Sequence, residues 1–210
     1  GKKFAMAISA IFLMIFLLQH FIINITSVFS EDIFNMLSHF MGTNPLVQFI
    51  LQPILIAGVL FHFIMGFYLE IQNRKAAKYE YQKEKGSANS TWMSRNMITS
   101  GLVILAFLVL HFIDFWVPEM NYKYIEFLPE DPNRYYEELV HKFENPLRVA
   151  MYCLSFVLLA LHLLHGFTSS LRSMGTNKSY VSSAKTAGII YSIGIPLGFC
   201  VIAIFHYLNH

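Results

Sequence analysis

Residues 145–167 read NPLRVAMYCLSFVLLALHLLHGF, and residues 44–67 read NPLVQFILQPILIAGVLFHFIMGF. Each opens on Asn-Pro-Leu, where Asn suits a helix N-cap and Pro the first helical position. Each then runs through apolar residues long enough to cross a hydrocarbon core, which takes about 20 residues. Lipid offers backbone groups no partner, so both segments must be helical. Both also end on a histidine followed by Gly-Phe: His62 precedes Gly66-Phe67, and His162 precedes Gly166-Phe167 at the same interval. The histidine falls 17 positions after the proline in one copy and 16 in the other.

Working outward, three further apolar runs reach spanning length, so that the five cover about 4–29, 46–72, 96–118, 146–172 and 186–207. The expected fold is all-α: an integral membrane bundle of five transmembrane helices forming a single domain over residues 1–210. With 55% hydrophobic and 13% charged residues, the composition is far from a soluble balance. The first run is long enough to span and lacks a small-residue cleavage site, so it reads as a span. Cys153 and Cys200 fall inside apolar runs and suggest no disulfide framework. Pro53 and Pro196 are expected to kink their spans. The polar stretch 119–144, with Pro129 and Pro132, is expected outside the membrane, with a short surface helix over 133–143.

Charge sets the expected orientation. Eleven Lys or Arg (positions 2, 3, 74, 75, 78, 83, 85, 95, 172, 178 and 185) cluster at the N-terminus and the second and fourth connections, against Glu70, Glu80 and Glu84. The other side carries Lys123, Arg134, Lys142 and Arg148 against nine acids. By the positive-inside rule the N-terminus is cytoplasmic and the C-terminus outside.

Five of the nine histidines, His20, His62, His111, His162 and His165, lie within the first four spans. Ionisable groups there are costly and point to function. Following each span's direction puts His20 and His111 in the outer half and His62 and His162 in the inner half. Spans one and three share His20-Phe21-Ile22 and His111-Phe112-Ile113. Two levels of paired neutral imidazoles suit two b-type haems with both axial positions filled, a donor set for electron transfer. Gly66 and Gly166, one turn beyond their histidines, leave room for a flat macrocycle. His162 reproduces the repeat unit, so His165 is expected beside the haem as a neighbour rather than a ligand. A single intramembrane histidine is often a packing residue, but four at two matched depths argue against that explanation.

Ser94, Arg95 and Arg172 are placed to meet the inner haem's propionates, although arginines also anchor helix ends. Asp114, His39 and Glu31 are candidates for quinone or proton contacts on the outer side. No phosphate loop, nucleophile elbow or nucleic-acid patch is present, and no catalytic residue is expected.

In combination, these residues resemble the cytochrome b membrane anchor of succinate dehydrogenases and fumarate reductases, in its single-chain, five-helix, dihaem form. The resemblance rests on His20 with Asn24, His62-xxx-Gly66-Phe67, His111, and His162-xxx-Gly166 followed by Ser173-Met174-Gly175. It covers essentially the whole chain. It implies a proximal haem on His62 and His162, a distal haem on His20 and His111, and menaquinone as the exchangeable substrate. It also implies cytoplasmic partners, an iron-sulfur subunit and a flavoprotein with FAD, within a bacterial inner-membrane respiratory complex. Dicarboxylate chemistry would belong to those partners. Some members carry a Glu just before the fourth ligand for a proton path; Ala160 and Leu161 stand here, so that path is not expected. The rival readings are a dihaem cytochrome b of a hydrogenase or formate dehydrogenase, and a transporter relaying protons through histidines.

Overall fold

The computed structural model describes residues 1–80, 97–175 and 178–209, with side chains described over 1–75, 97–175 and 184–209. Ser94 and Arg95 lie outside the described residues. The elements are α1 (Lys2–Ile25), a 3-10 turn (Thr26–Val28), α2 (Glu31–Thr43), a π-helical turn (Val47–Leu51) and α3 (Gln52–Glu80). They continue with α4 (Met97–His111), a second π-helical turn (Phe112–Trp116), α5 (Val117–Tyr124), α6 (Arg134–Phe143), α7 (Pro146–Ser173) and α8 (Lys178–Asn209). No strand occurs among the described residues. The protein is an all-α multi-pass membrane bundle whose five spans are Lys2–Val28, Val47–Lys75, Met97–Tyr124, Pro146–Ser173 and Ala184–Asn209. Successive spans alternate in direction, so the N- and C-termini mark opposite poles.

The paired start signals act alike. Asn44 Oδ1 accepts from the backbone N–H of Leu46 (3.0 Å) and Val47 (3.3 Å), and Asn145 Oδ1 from those of Leu147 (2.9 Å) and Arg148 (3.2 Å). Each cap satisfies donors that lipid could not. The two π-helical turns also have a cause in the sequence. Pro53 and Pro118 each lack an N–H and crowd the carbonyl four residues earlier, which belongs to Phe49 and Asp114. Both carbonyls lie inside a widened turn, which moves them clear. At Pro196 the helix instead runs on without interruption.

At the C-terminal pole α2 follows the first span: Ser30 caps it by accepting from Ile33 N–H, and Glu31 and Asp32 occupy its first turn, where the helix dipole favours acids. The polar stretch after Pro118 begins as helix, with α5 continuing the third span to Tyr124. The short surface helix is present as α6, and it packs on α2, with Tyr136 N–H donating to Asn35 Oδ1 (2.8 Å).

The fourth span is the hub: α7 packs against α1, α4 and most extensively α8. The buried core gathers toward the C-terminal pole, where Tyr152 and Phe156 of α7 meet Phe199, Ile202 and Ala203 of α8 under Phe34 of α2 and Phe143 of α6. Large apolar side chains such as Ile15, Ile64, Leu154 and Ile190 point outward, as a lipid-facing surface requires. Lipid is as apolar as leucine, so close packing must hold the helices together. Glycines supply it: Gly188 seats the Phe167 ring and Gly198 the Phe21 ring so closely that a Cβ at either site would collide.

Candidate functional site

Four of the intramembrane histidines form two facing pairs. His62 of α3 meets His162 of α7 with ring centroids 6.4 Å apart and planes at 67°. His20 of α1 meets His111 of α4 with centroids 5.8 Å apart and planes at 88°. Each pair joins two different spans, and together they use the first four.

The first pair is held by matching serines. Ser9 Oγ lies 3.1 Å from His62 Nδ1, and Ser100 Oγ lies 3.1 Å from His162 Nδ1. Each hydroxyl has one proton, and each donates it to a backbone carbonyl, Ser9 to Met6 (2.8 Å) and Ser100 to Met97 (2.9 Å). With those protons on the carbonyls, each serine oxygen can accept from the Nδ1 of its histidine, the tautomer that leaves the Nε2 lone pair free. A neutral imidazole with that tautomer is a metal ligand, oriented by the bond its other nitrogen makes. The methionines three residues before these serines also face the conserved-spacing glycines of the repeat: Met6 Cε approaches Gly66 and Met97 Cε approaches Gly166. Flexible thioethers, which adapt readily, flank the pair.

The second pair sits in an aromatic box. Phe16 stacks on His20 (5.5 Å, 20°), Phe107 leans on His111 (5.9 Å), and Phe199 and Phe115 close the sides at 5.7 and 5.2 Å. Asn24 Nδ2 donates to the His20 carbonyl (2.8 Å) and lies 3.4 Å from His20 Nδ1. The Nδ1 atom of His111 is buried with no partner among the described residues. Ser9 precedes His20 by 11 residues on α1, and Ser100 precedes His111 by 11 on α4. At 1.5 Å per residue the two levels are about 16 Å apart.

An imidazole nitrogen binds a metal at about 2 Å, so two imidazoles sharing one ion on opposite sides have ring centres roughly 6 Å apart. Both pairs fall at that separation. No group of three or more His, Cys, Asp or Glu side chains placed to hold a metal ion occurs among the described residues. Two imidazoles from different spans at this separation are a donor set that would suit a haem.

No family model, curated protein or solved structure matches the chain.

His165 is half-buried one turn from His162, within electrostatic reach of Arg172 toward the N-terminal pole. It makes no ring contact with His62. Asp114, 3% exposed, is ion-paired with Arg148 and accepts from the Tyr152 hydroxyl at 2.8 Å. His39 lines a cavity of about 250 Å³ at the C-terminal pole with Gln48, Tyr122, Lys123, Arg134 and Tyr135. There Glu119 pairs with Lys123 and Arg134, whose guanidinium lies between the Tyr122 and Tyr135 rings at 4.1 and 4.4 Å. Burial, then the Glu119 charge, push the Tyr135 hydroxyl up to about 12, so it stays a donor at neutral pH. Glu31 is exposed at the start of α2, apart from this cavity's lining.

The sequence reading passed over Ser9, Ser100, Arg148 and Tyr152. A signal for the serines exists: Met6-x-x-Ser9 and Met97-x-x-Ser100 repeat at the same distance before His20 and His111, with Phe16 and Phe107 also in register. The reading also passed over His206, fully buried near the C-terminal pole with its Nε2 2.9 Å from Ser27 Oγ.

Proposed function

We propose that this chain is the membrane anchor and electron-transfer subunit of a succinate:quinone oxidoreductase or quinol:fumarate reductase, carrying two b-type haems. The observation that carries the reading is the pair of facing imidazole couples at two levels, one with an equivalent serine oxygen 3.1 Å from each Nδ1. His62 and His162 hold the haem nearer the N-terminal pole, and His20 and His111 the other. When bound, the haem irons supply reversible one-electron chemistry across the membrane. The chain's own residues would hold the two groups through His62 with His162 and His20 with His111, orient the first pair through Ser9 and Ser100, and surround the second pair with aromatic rings that keep water away.

The basic N-terminal pole faces the cytoplasm of a bacterial cell in this reading, by the positive-inside rule, and receives the iron-sulfur and flavin subunits. The cavity beside His39 at the opposite pole is a place for the quinone headgroup, with Tyr135 and Gln48 as hydrogen-bonding groups. The resemblance of these motifs to those of dihaem succinate and fumarate cytochromes, more than the geometry, favours this complex over other dihaem membrane cytochromes.

Visible absorption of the purified protein tests the haem reading: a Soret band and a dithionite-induced α band are expected, and their absence overturns it. Co-purification of a flavoprotein with covalent FAD tests the complex. Ser9→Ala and Ser100→Ala are each expected to weaken haem binding at the first pair by about 10–100-fold, as loss of a ligand's orienting partner does. Haem titration followed by absorption reads that loss, and the second haem should bind unchanged in both variants.

A further inference from the structure

His111 differs from the other three paired histidines. His62 and His162 each have a serine oxygen 3.1 Å from Nδ1, and His20 has Asn24 beside its ring, whereas His111 Nδ1 has no partner among the described residues. Some other contact must orient it. Directly after it comes the π-helical turn Phe112–Trp116, and at the centre of that turn stands Asp114. Its carboxylate is engaged by two residues of the fourth span, Arg148 Nη1 at Oδ1 and Tyr152 hydroxyl at Oδ2 (2.8 Å). Those two residues are four apart on α7 and so share a face. The Tyr152 ring, itself 2% exposed, then forms a wall: its centroid lies 6.3 Å from that of His111, 5.0 Å from Phe107 and 6.5 Å from Phe115. One buried carboxylate thus secures both the backbone turn that follows His111 and the ring against which His111 rests.

We infer that Asp114 is a positioning residue for His111, fixing the plane of its imidazole through the π-helical turn and through Tyr152. A buried ion pair in a membrane span is expensive, and a structural need at a ligand accounts for its presence. Span one solves the same problem directly, with Asn24 one turn beyond His20. Span three has phenylalanine at the corresponding position, Phe115, and reaches across to the fourth span instead. The inference rests on the proposed haem ligation.

The test uses the full chain loaded with haem, as wild type, Asp114→Asn and Tyr152→Phe, with low-temperature electron paramagnetic resonance of the oxidised protein. The low-field resonance of a low-spin haem depends on the relative orientation of its two imidazole planes. His20→Ala and His62→Ala assign the two resonances by removing one each. In Asp114→Asn and Tyr152→Phe both haems should remain at full occupancy. The resonance lost in His20→Ala should shift, and the one lost in His62→Ala should stay in place. If the second-pair resonance is unmoved in Tyr152→Phe, or if both resonances move together, the inference is overturned. Tyr152→Phe keeps the ring wall and loses only the hydroxyl, so it decides the matter even where Asp114→Asn does not accumulate. A wild type without haem bands would instead sink the ligation itself, while two intact haems with an unmoved resonance would sink only the role of Asp114.

Discussion

Replacing His62 with alanine is expected to halve the haem content of the purified protein, and His162→Ala should give the same product with the same residual spectrum. In the proposed ligation these two rings, 6.4 Å apart on α3 and α7, would hold one haem between them, so loss of either would leave one ligand where two are needed. His20→Ala and His111→Ala should remove the complementary component, since those rings pair at 5.8 Å on α1 and α4. The double variant His62→Ala, His162→Ala should lose no more haem than either single variant, because residues acting as one unit are strongly non-additive. Pyridine haemochrome content and the low-temperature α band measure all of this. The pairing is refuted if His62→Ala and His20→Ala bleach one common component. His165→Ala should leave both haems in place, since that ring makes no contact with His62.

The five spans were legible because a bilayer imposes a length and a polarity that soluble folds do not. Asn44-Pro45 and Asn145-Pro146 fixed two boundaries closely, since an amide cap and a proline each act on the first helical turn. Helix α2 escaped because it is short and amphipathic: Ser30, Glu31 and Asp32 signal a start, but no long apolar run follows them. The two depths of the histidines could be read from helix direction alone. Their partners could not, because a serine inside an apolar helix is usually satisfied by its own backbone, as Ser9 and Ser100 both are before they meet an imidazole. Comparing spans one and three residue by residue would have exposed the shared Met-x-x-Ser and the common interval to histidine. The π-helical turns were within reach as well, since Pro53 and Pro118 require some adjustment of the preceding turn. What the sequence withheld was that Asp114, inside the turn before Pro118, meets Arg148 and Tyr152 of the fourth span.

That contact sets the second large effect. Arg148→Ala is expected to lower the stability of the folded bundle by about 3–5 kcal/mol, the usual cost of removing one partner from a buried ion pair. The cost follows from the asymmetry of the pair: the Arg148 side chain is 30% exposed near the C-terminal pole, whereas the Asp114 side chain is 2% exposed. Without the guanidinium the carboxylate keeps only the Tyr152 hydroxyl, and neither lipid nor the surrounding phenylalanines can stabilise its charge. Combining Asp114→Asn with Arg148→Met should recover most of the loss, because both charges leave together and the replacements retain volume. Unfolding midpoints in one detergent, for the two single variants and the double variant, give the coupling energy directly. If Arg148→Ala costs less than about 1 kcal/mol, or if the double variant is simply the sum of the singles, the pair does not bear on the fold in the way its burial indicates. Should the double variant recover stability while the second-pair resonance stays displaced, then the charges serve orientation of His111 more than cohesion of the helices.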